Sequence, residues 1–375
     1  MNHATSAMNQ TGTAGSERIN SIDFFRGLTM FLLAGESTHI YDHFLKINYG
    51  ILQVLGTQFN HHQWHGMHFW DLIQPFFMFI VGVSIPFAVA KREKRGDSDR
   101  SVTLHAVKRS FLLLFFGWAL YCINSGKIVW QFQNVLAQLS VTYLVAFLIR
   151  NKSYSFQILF TLILLLIIDL AYRFFPVEGF NQPWTNFENL GNWVNNKIEG
   201  VDKASEWATL NVVSTTAHTV WGVLCGRIMM SARSVPLKIR TLLIAGILAL
   251  VIGYSLDFLN ITPIIKKIAT TSFVFASGGW TILALCICYW LIDVKRLFAT
   301  GMNMFRIMGM NCIFIYIFFH IGGSRLLQTI FIPFTKAFFS WAGILTVNIM
   351  TSLIVWAALW YICYWLFKNR IFIKI

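Results

Sequence analysis

The sequence predicts an all-α, polytopic membrane protein: about ten transmembrane helices around a polar interior, with both termini in the cytoplasm. Three observations lead there. Hydrophobic residues make up 56% of the chain and charged residues only 12%, with a mean hydropathy of +0.59, whereas a soluble globule is about 25% charged. Mostly apolar stretches recur along the whole length, each long enough to cross a hydrocarbon core of roughly 30 Å as a helix. Lysine and arginine collect in alternate loops.

The spans expected from these stretches are 22–41, 70–90, 106–123, 134–150, 156–175, 210–230, 239–256, 271–292, 304–321 and 343–366. The segment 326–341, "LLQTIFIPFTKAFFSW", is apolar but contains Pro333 and Lys336, and is expected to be re-entrant or interfacial. With that assignment twenty of the 30 lysines and arginines fall on one side, among them the block from Lys91 to Arg109 and the C-terminal Lys368, Arg370 and Lys374. That side is the cytoplasm by the positive-inside rule. The net charge of +14 is then mostly a topology signal, and no nucleic-acid partner is expected.

The first twenty residues, "MNHATSAMNQTGTAGSERIN", are polar and lack the apolar core of a signal peptide, so 1–20 reads as a disordered cytoplasmic tail. Residues 21–375 then form a single transmembrane domain, and its longest loop, about 176–208, faces outside. All six cysteines lie inside the expected spans, which removes them from extracellular disulfide chemistry.

The first span, in "RINSIDFFRGLTMFLLAGESTHIYDHF", carries Asp23 and Arg26 near one end and Glu36, Ser37, His39, Asp42 and His43 toward the other. Ionisable groups at membrane depth persist when they face a partner or a water-filled cavity, so this helix is expected to line the polar interior. Asp23 and Arg26, three residues apart, can pair. The next stretch is denser still: "FNHHQWHGMHFWDLIQPFF" places four of the ten histidines, His61, His62, His65 and His68, within eight residues. His39, His43, His218, Asp257 and His320 fall toward the same face of the membrane, which is the convergence a buried site requires.

Two chemistries suit the cluster. Were the second helix to begin early, His61, His65 and His68 would share a face at i, i+4 and i+7 and could hold a metal with Glu36 or Asp71. Alternatively one neutral imidazole acts as a general base, since its unperturbed pKa lies near 6.5.

Six stretches taken together, "RINSIDFFRGLTM", "WHGMHFWDLIQPFFMFIVGVSIP", "NVLAQLSVTYLVAFLI", "WGVLCGRIM", "PIIKKIATTSFVF" and "FRIMGMNCIFIYIFFH", resemble the successive motifs of the heparan-α-glucosaminide N-acetyltransferase family of transmembrane acyltransferases, over about residues 18–321. The resemblance implies transfer of an acetyl group from cytoplasmic acetyl-CoA, a co-substrate, to an amino sugar or cell-envelope glycan outside, with no metal. In the family's H-x-x-W-x-G pattern, here His61, Trp64 and Gly66, His61 would be the base or a transient acetyl carrier, and Asp71, in a matching motif, a second catalytic residue or one lining the path. Glu36, Ser37, His39, His65 and His320 would bind the acceptor. Asp23, Arg26, Lys267, Ser272 and Asn311 would line the path or hold the coenzyme, with Arg227 also available to its phosphates. Relatives typically place an asparagine where this chain has Ser37 preceded by Glu36, and the animal enzyme's separate extracellular domain is missing here, so a bacterial envelope sugar or imported amino sugar is the expected acceptor. The expected location is the bacterial cytoplasmic (inner) membrane, its lipid bilayer the other partner; a homodimer is left open. The rival readings are a transporter or proton-coupled carrier with a Glu36 and histidine relay and, third, a non-catalytic metal-binding membrane protein.

Overall fold

The computed structural model describes residues 19–47, 49–297 and 302–373. The expected tail lies outside the described residues except for Ile19 and Asn20. All named elements among the described residues are helical. In chain order they are α1 (Asn20–Glu36), α2 (Ile40–Leu45), α3 (Gly50–Gln58), α4 (Ile73–Glu93), α5 (Asp99–Ser125), α6 (Val135–Ile149), α7 (Tyr154–Arg173), α8 (Leu190–Glu199), α9 (Asn211–Met230), α10 (Val235–Phe258), α11 (Thr271–Cys288), α12 (Met302–Met310), α13 (Cys312–His320), α14 (Gly323–Phe339) and α15 (Ile344–Lys368). A 3-10 turn (Phe69–Leu72) leads into α4, and a π-helical turn (Tyr289–Val294) extends α11. Local chemistry sets several of these starts: side-chain oxygens of Ser98, Asn134, Ser153 and Asn189 accept backbone N–H groups in the first turns of α5, α6, α7 and α8.

Among the described residues, six helical stretches are long and apolar enough to cross a membrane: Phe69–Glu93, Asp99–Ser125, Tyr154–Arg173, Val235–Phe258, Thr271–Val294 and Ile344–Lys368. The pair α12 and α13 adds a seventh if the two halves, bent by 71°, are one span. This is a multi-pass membrane protein. α1 and α6 are shorter, at 17 and 15 residues, and α9 carries Asn211, Ser214, Thr215, Thr216, His218 and Thr219 among its apolar residues.

Three expected segments differ in detail. The first span stops at Glu36, not 41, because the chain turns through Ser37 to a left-handed His39 (φ 63°). That turn is fixed from outside it: the Thr38 carbonyl accepts from Gln328 (3.1 Å) and Ser352 (2.6 Å). The ninth span is broken at Asn311, whose amide group is occupied by the C-terminal segment, donating to the Ile371 carbonyl (3.2 Å) and accepting from Ile373 N (3.0 Å). The segment 326–341 is not broken at Pro333; α14 runs through it, and Thr335 bonds Thr351 of α15 at 2.6 Å. A proline costs a helix one backbone bond, and neighbouring helices in a bundle tolerate this.

α9 is the axis of the bundle, buried along almost its whole length. It meets α4 at backbone distance, because both helices present glycine at the crossing. A Cβ added at Gly82 would lie 2.0 Å from the Thr219 carbonyl oxygen, one at Gly222 2.2 Å from that of Phe79, and one at Gly226 2.5 Å from that of Val83. Close approach over small residues is how helices gain packing in lipid, where no hydrophobic drive pulls them together. α1 is pinned from below: Asp293 in the π-helical turn accepts from Asn20 N (2.9 Å) and Ser21 N (3.1 Å), a carboxylate on a helix N-terminus.

Substituting Gly222 by Val forces a side chain into the α4 backbone. The expected outcome is a loss of about 1–3 kcal/mol or more, read as a lower melting temperature of the detergent-solubilised protein by fluorescence-detected size exclusion, while Gly96→Val, whose added Cβ meets nothing within 4 Å but whose φ is +84°, should cost less.

Candidate active site

The histidine cluster is not helical. Residues 59–68 form a connection between α3 and the 3-10 turn, so His61, His65 and His68 do not share a helix face. The segment is tied down residue by residue. Phe59 stacks on Tyr41 (4.5 Å between centroids, 26°). The Asn60 side chain donates to the Gly56 carbonyl (2.9 Å), and its own carbonyl accepts from His68 Nδ1 (2.9 Å). Trp64 Nε1 donates to the Trp184 carbonyl at 2.7 Å, which fastens this loop to the long loop 174–189. His65 Nε2 donates to Asp257 at 2.7 Å, and Gly66 N donates to the Ile264 carbonyl at 2.8 Å. Gly66 has φ +136°, and a Cβ there would meet the His62 ring at 2.6 Å. Each named position of the H-x-x-W-x-G pattern therefore has a physical role, in which Trp64 anchors the loop, Gly66 turns it, and His61 is presented.

His61 is presented to a buried carboxylate. Its Nδ1 lies 2.8 Å from Asp71 Oδ1, and Asp71 is only 1% exposed. The other carboxylate oxygen accepts from the backbone N–H of His68 (2.8 Å) and of His62 (3.2 Å). Against both groups lies Lys266, 7% exposed, with Nζ 3.2 Å from His61 Nδ1 and 3.5 Å from Asp71 Oδ1. Trp207 closes the group, its ring centroid 5.2 Å from that of His61 and 5.3 Å from Lys266 Nζ. The His61 side chain keeps 38% of its surface exposed, and Nε2 takes no hydrogen bond among the described residues. Burial and the Lys266 ammonium push the His61 imidazole below its ordinary pKa, Asp71 pulling the other way. Burial likewise pushes Lys266 down, to about 8, against the attraction of Asp71 and Glu36.

The sequence candidates divide into those gathered here and those placed elsewhere. His61 and Asp71 are in contact. Glu36 is close enough to attract Lys266 and accepts from Trp70 Nε1 at 3.1 Å. Lys267 points away from the dyad to Glu206 and pairs with it, holding that carboxyl below its ordinary pKa. Ser272 is buried and donates to the Pro263 carbonyl at 2.7 Å, closing the loop that carries Lys266. His65 belongs to Asp257, His39 to Asp42 (3.0 Å), and His320 to the Tyr316 carbonyl (2.9 Å). Ser37 shares a 2.7 Å bond with Ser324. Asp23 and Arg26 pair at 3.8 Å, with Arg26 also donating to Ser84 (3.2 Å); they lie about 20 and about 15 Å along α1 from Glu36. Asn311 holds the C-terminal segment, as above. The five residues expected to hold the coenzyme are thus spread over both ends of the bundle. Among the described residues no three His, Cys, Asp or Glu side chains are arranged to hold a metal ion.

Sequence reasoning missed Lys266 and Glu206; Trp207 was legible only as one of three tryptophans of the external loop, with Trp184 and Trp193, able to stack on a sugar ring. In "PIIKKIATT" a pair of lysines is flanked by isoleucines, a setting that can bury a cation, but nothing local says which of the two it is.

Whole-chain comparison finds the same resemblance as the motifs. A family model described as a domain of unknown function, DUF5009, matches residues 18–181. The chain is 25% identical over 433 aligned positions to the heparan-alpha-glucosaminide N-acetyltransferase of Mus musculus, covering 98% of this chain and 62% of that protein. It is 24% identical over 425 positions to the same enzyme of Homo sapiens, covering 96% and 60%. The chain therefore spans about three fifths of the length of the curated relatives it matches.

Changing Asp71 to Asn removes the charge that chiefly offsets Lys266 and leaves a buried ammonium with only the weaker attraction of Glu36. A loss of about 3–5 kcal/mol is expected, measured as a fall in melting temperature; the double variant Asp71→Asn, Lys266→Met should recover part of it.

Proposed function

We propose that this chain is a membrane-embedded acetyltransferase that takes an acetyl group from acetyl-CoA on the cytoplasmic side and delivers it to an amino sugar or cell-envelope glycan outside. The observation that carries the reading is the dyad: a histidine at the position of the family's H-x-x-W-x-G pattern, oriented through Nδ1 by a buried carboxylate, its side chain 38% exposed and its Nε2 without a hydrogen bond among the described residues. A thioester is already activated, so the protein has to align it with the acceptor, handle one proton and stabilise an oxyanion. His61 Nε2 is the atom for the proton or for the acetyl group itself. Trp207 supplies an aromatic face beside it, suited to a sugar ring. Glu36 faces the same surroundings as Lys266 and is a candidate to hold the acceptor's amine. Asp23 and Arg26, at the opposite end of α1, are proposed to meet the coenzyme where it enters. The ten-helix topology, with cytoplasmic termini and an inner-membrane location, is part of this proposal.

The relay reading draws less support. His39, His65 and His320 are each bonded to separate local partners rather than to one another.

With purified protein in detergent, acetyl-CoA and a panel of amino sugars including glucosamine, His61→Ala is expected to lower turnover by at least about 10²-fold while leaving coenzyme binding by calorimetry intact. Wild-type protein that neither binds nor turns over acetyl-CoA would end this reading.

A further inference from the structure

We infer that Lys266 is a positioning residue: set against Nδ1 of His61, its ammonium keeps the ring uncharged, with the proton on Nδ1 and the Nε2 lone pair facing outward. The inference deepens the acetyltransferase reading and rests on it for the word "reaction", though not for the charge relation.

The geometry allows one consistent assignment of protons. Nδ1 of His61 has two neighbours, Asp71 Oδ1 at 2.8 Å and Lys266 Nζ at 3.2 Å, and Nζ also lies 3.5 Å from Oδ1. The other oxygen of Asp71 faces two backbone N–H groups, which can only donate, so Asp71 is the acceptor for everything around it. Nδ1 must then carry its hydrogen and give it to Asp71, since a bare Nδ1 lone pair 2.8 Å from a carboxylate would be repelled. An ammonium has three donors and no acceptor, so Lys266 directs a hydrogen at Asp71 and faces Nδ1 as a like charge whenever the ring is protonated.

A second proton, on Nε2, would put two cations about 3 Å apart in a place where neither is well screened. In an ordinary Asp-His pair the carboxylate stabilises the imidazolium. Here the lysine has already claimed that carboxylate. The other charged and titratable groups around the ring do not reverse the balance: Lys267 adds positive charge but is paired with Glu206, Glu36 acts on Lys266 from the end of α1, Asp257 is taken by His65, and His62 and His68 contact each other with ring centroids 4.7 Å apart.

The test is residue-resolved carbethoxylation of the full-length protein in nanodiscs. Diethylpyrocarbonate labels an imidazole only in its neutral form, and peptide mass spectrometry between about pH 5 and 8 gives a midpoint for His61, with its own rate at the alkaline end as the reference. The wild-type midpoint is expected below the ordinary value of about 6.5. Lys266→Met should raise it by about one pH unit, a several-fold drop in labelling at acid pH, whereas Lys266→Arg should keep it low. A wild-type midpoint at or above about 6.5, or an unmoved midpoint in Lys266→Met, overturns the inference. If Lys266→Met does not fold, Lys266→Gln, neutral and polar, is read in its place by the same criterion. Acetyl transfer measured in parallel separates the two readings: turnover with an unmoved midpoint removes only the role of Lys266, and a moved midpoint without turnover removes only the acetyltransferase reading.

Discussion

A carboxylate almost cut off from water has to be surrounded by donors, and Asp71 is that carboxylate. It gathers the backbone N–H groups of His62 and His68, Nδ1 of His61 and the ammonium of Lys266. These donors come from two loops that are distant in sequence, 59–68 and 261–270. One buried charge thereby sets where α3 ends, how the entry to α4 is folded, and why the start of α11 lies beside it. Removing a single donor leaves the carboxylate under-satisfied, which is costly where water cannot replace it. The secondary contacts follow the same constraint: Gly66 bonds the Ile264 carbonyl, His65 reaches Asp257, and Asp257 in turn accepts from Ile264 N at 2.8 Å. The two loops are laced together on both sides of the carboxylate.

The bundle beneath supplies a rigid base for those loops. α4 carries Asp71 at its entry and crosses α9 through glycines, so their backbones touch and leave little room to slide. α1 is fixed at both ends, by Asp293 at its N-terminus and by the turn at Ser37 to His39. Glu36 is therefore held at a set height relative to Lys266. Helix packing in lipid rests on close contact and internal hydrogen bonds, and here both occur on the helices that lead into the site.

Much of this was legible in the sequence, for identifiable reasons. The apolar runs located the ten expected helices to within about seven residues at their ends, because a run that must satisfy its backbone internally in lipid has one local option; α14 was not among them. The first span ended early because its boundary is set by Gln328 and Ser352, nearly three hundred residues away, and no local pattern records that. The kink at Asn311 has the same origin, in contacts from Ile371 and Ile373. At the site, His61 and Asp71 could be named because charged and imidazole groups beside an apolar run are conspicuous. Their pairing across ten residues could not be read from helical spacing, since the connecting segment is irregular. Lys266 went unread beside Lys267 because adjacent lysines look alike in sequence, while the fold sends one inward to Asp71 and the other outward to Glu206.

That division of two neighbouring lysines bears on the chemistry. A histidine serving as a general base must hold a proton, and an Asp-His pair normally eases this by lending the imidazolium a negative charge. Placing an ammonium on the same carboxylate withdraws that help. What remains is a ring with a fixed tautomer, a free lone pair on Nε2 and a low tendency to take up protons. Those properties suit attack through the lone pair better than storage of a proton. They also hold the ring ready over a wider range toward acid than a free imidazole has. Burial holds the Lys266 ammonium itself down, to about 8, so above that pH its charge no longer opposes a proton on the ring. The charge on the ring is thus set by groups that lie within 3.5 Å of one another.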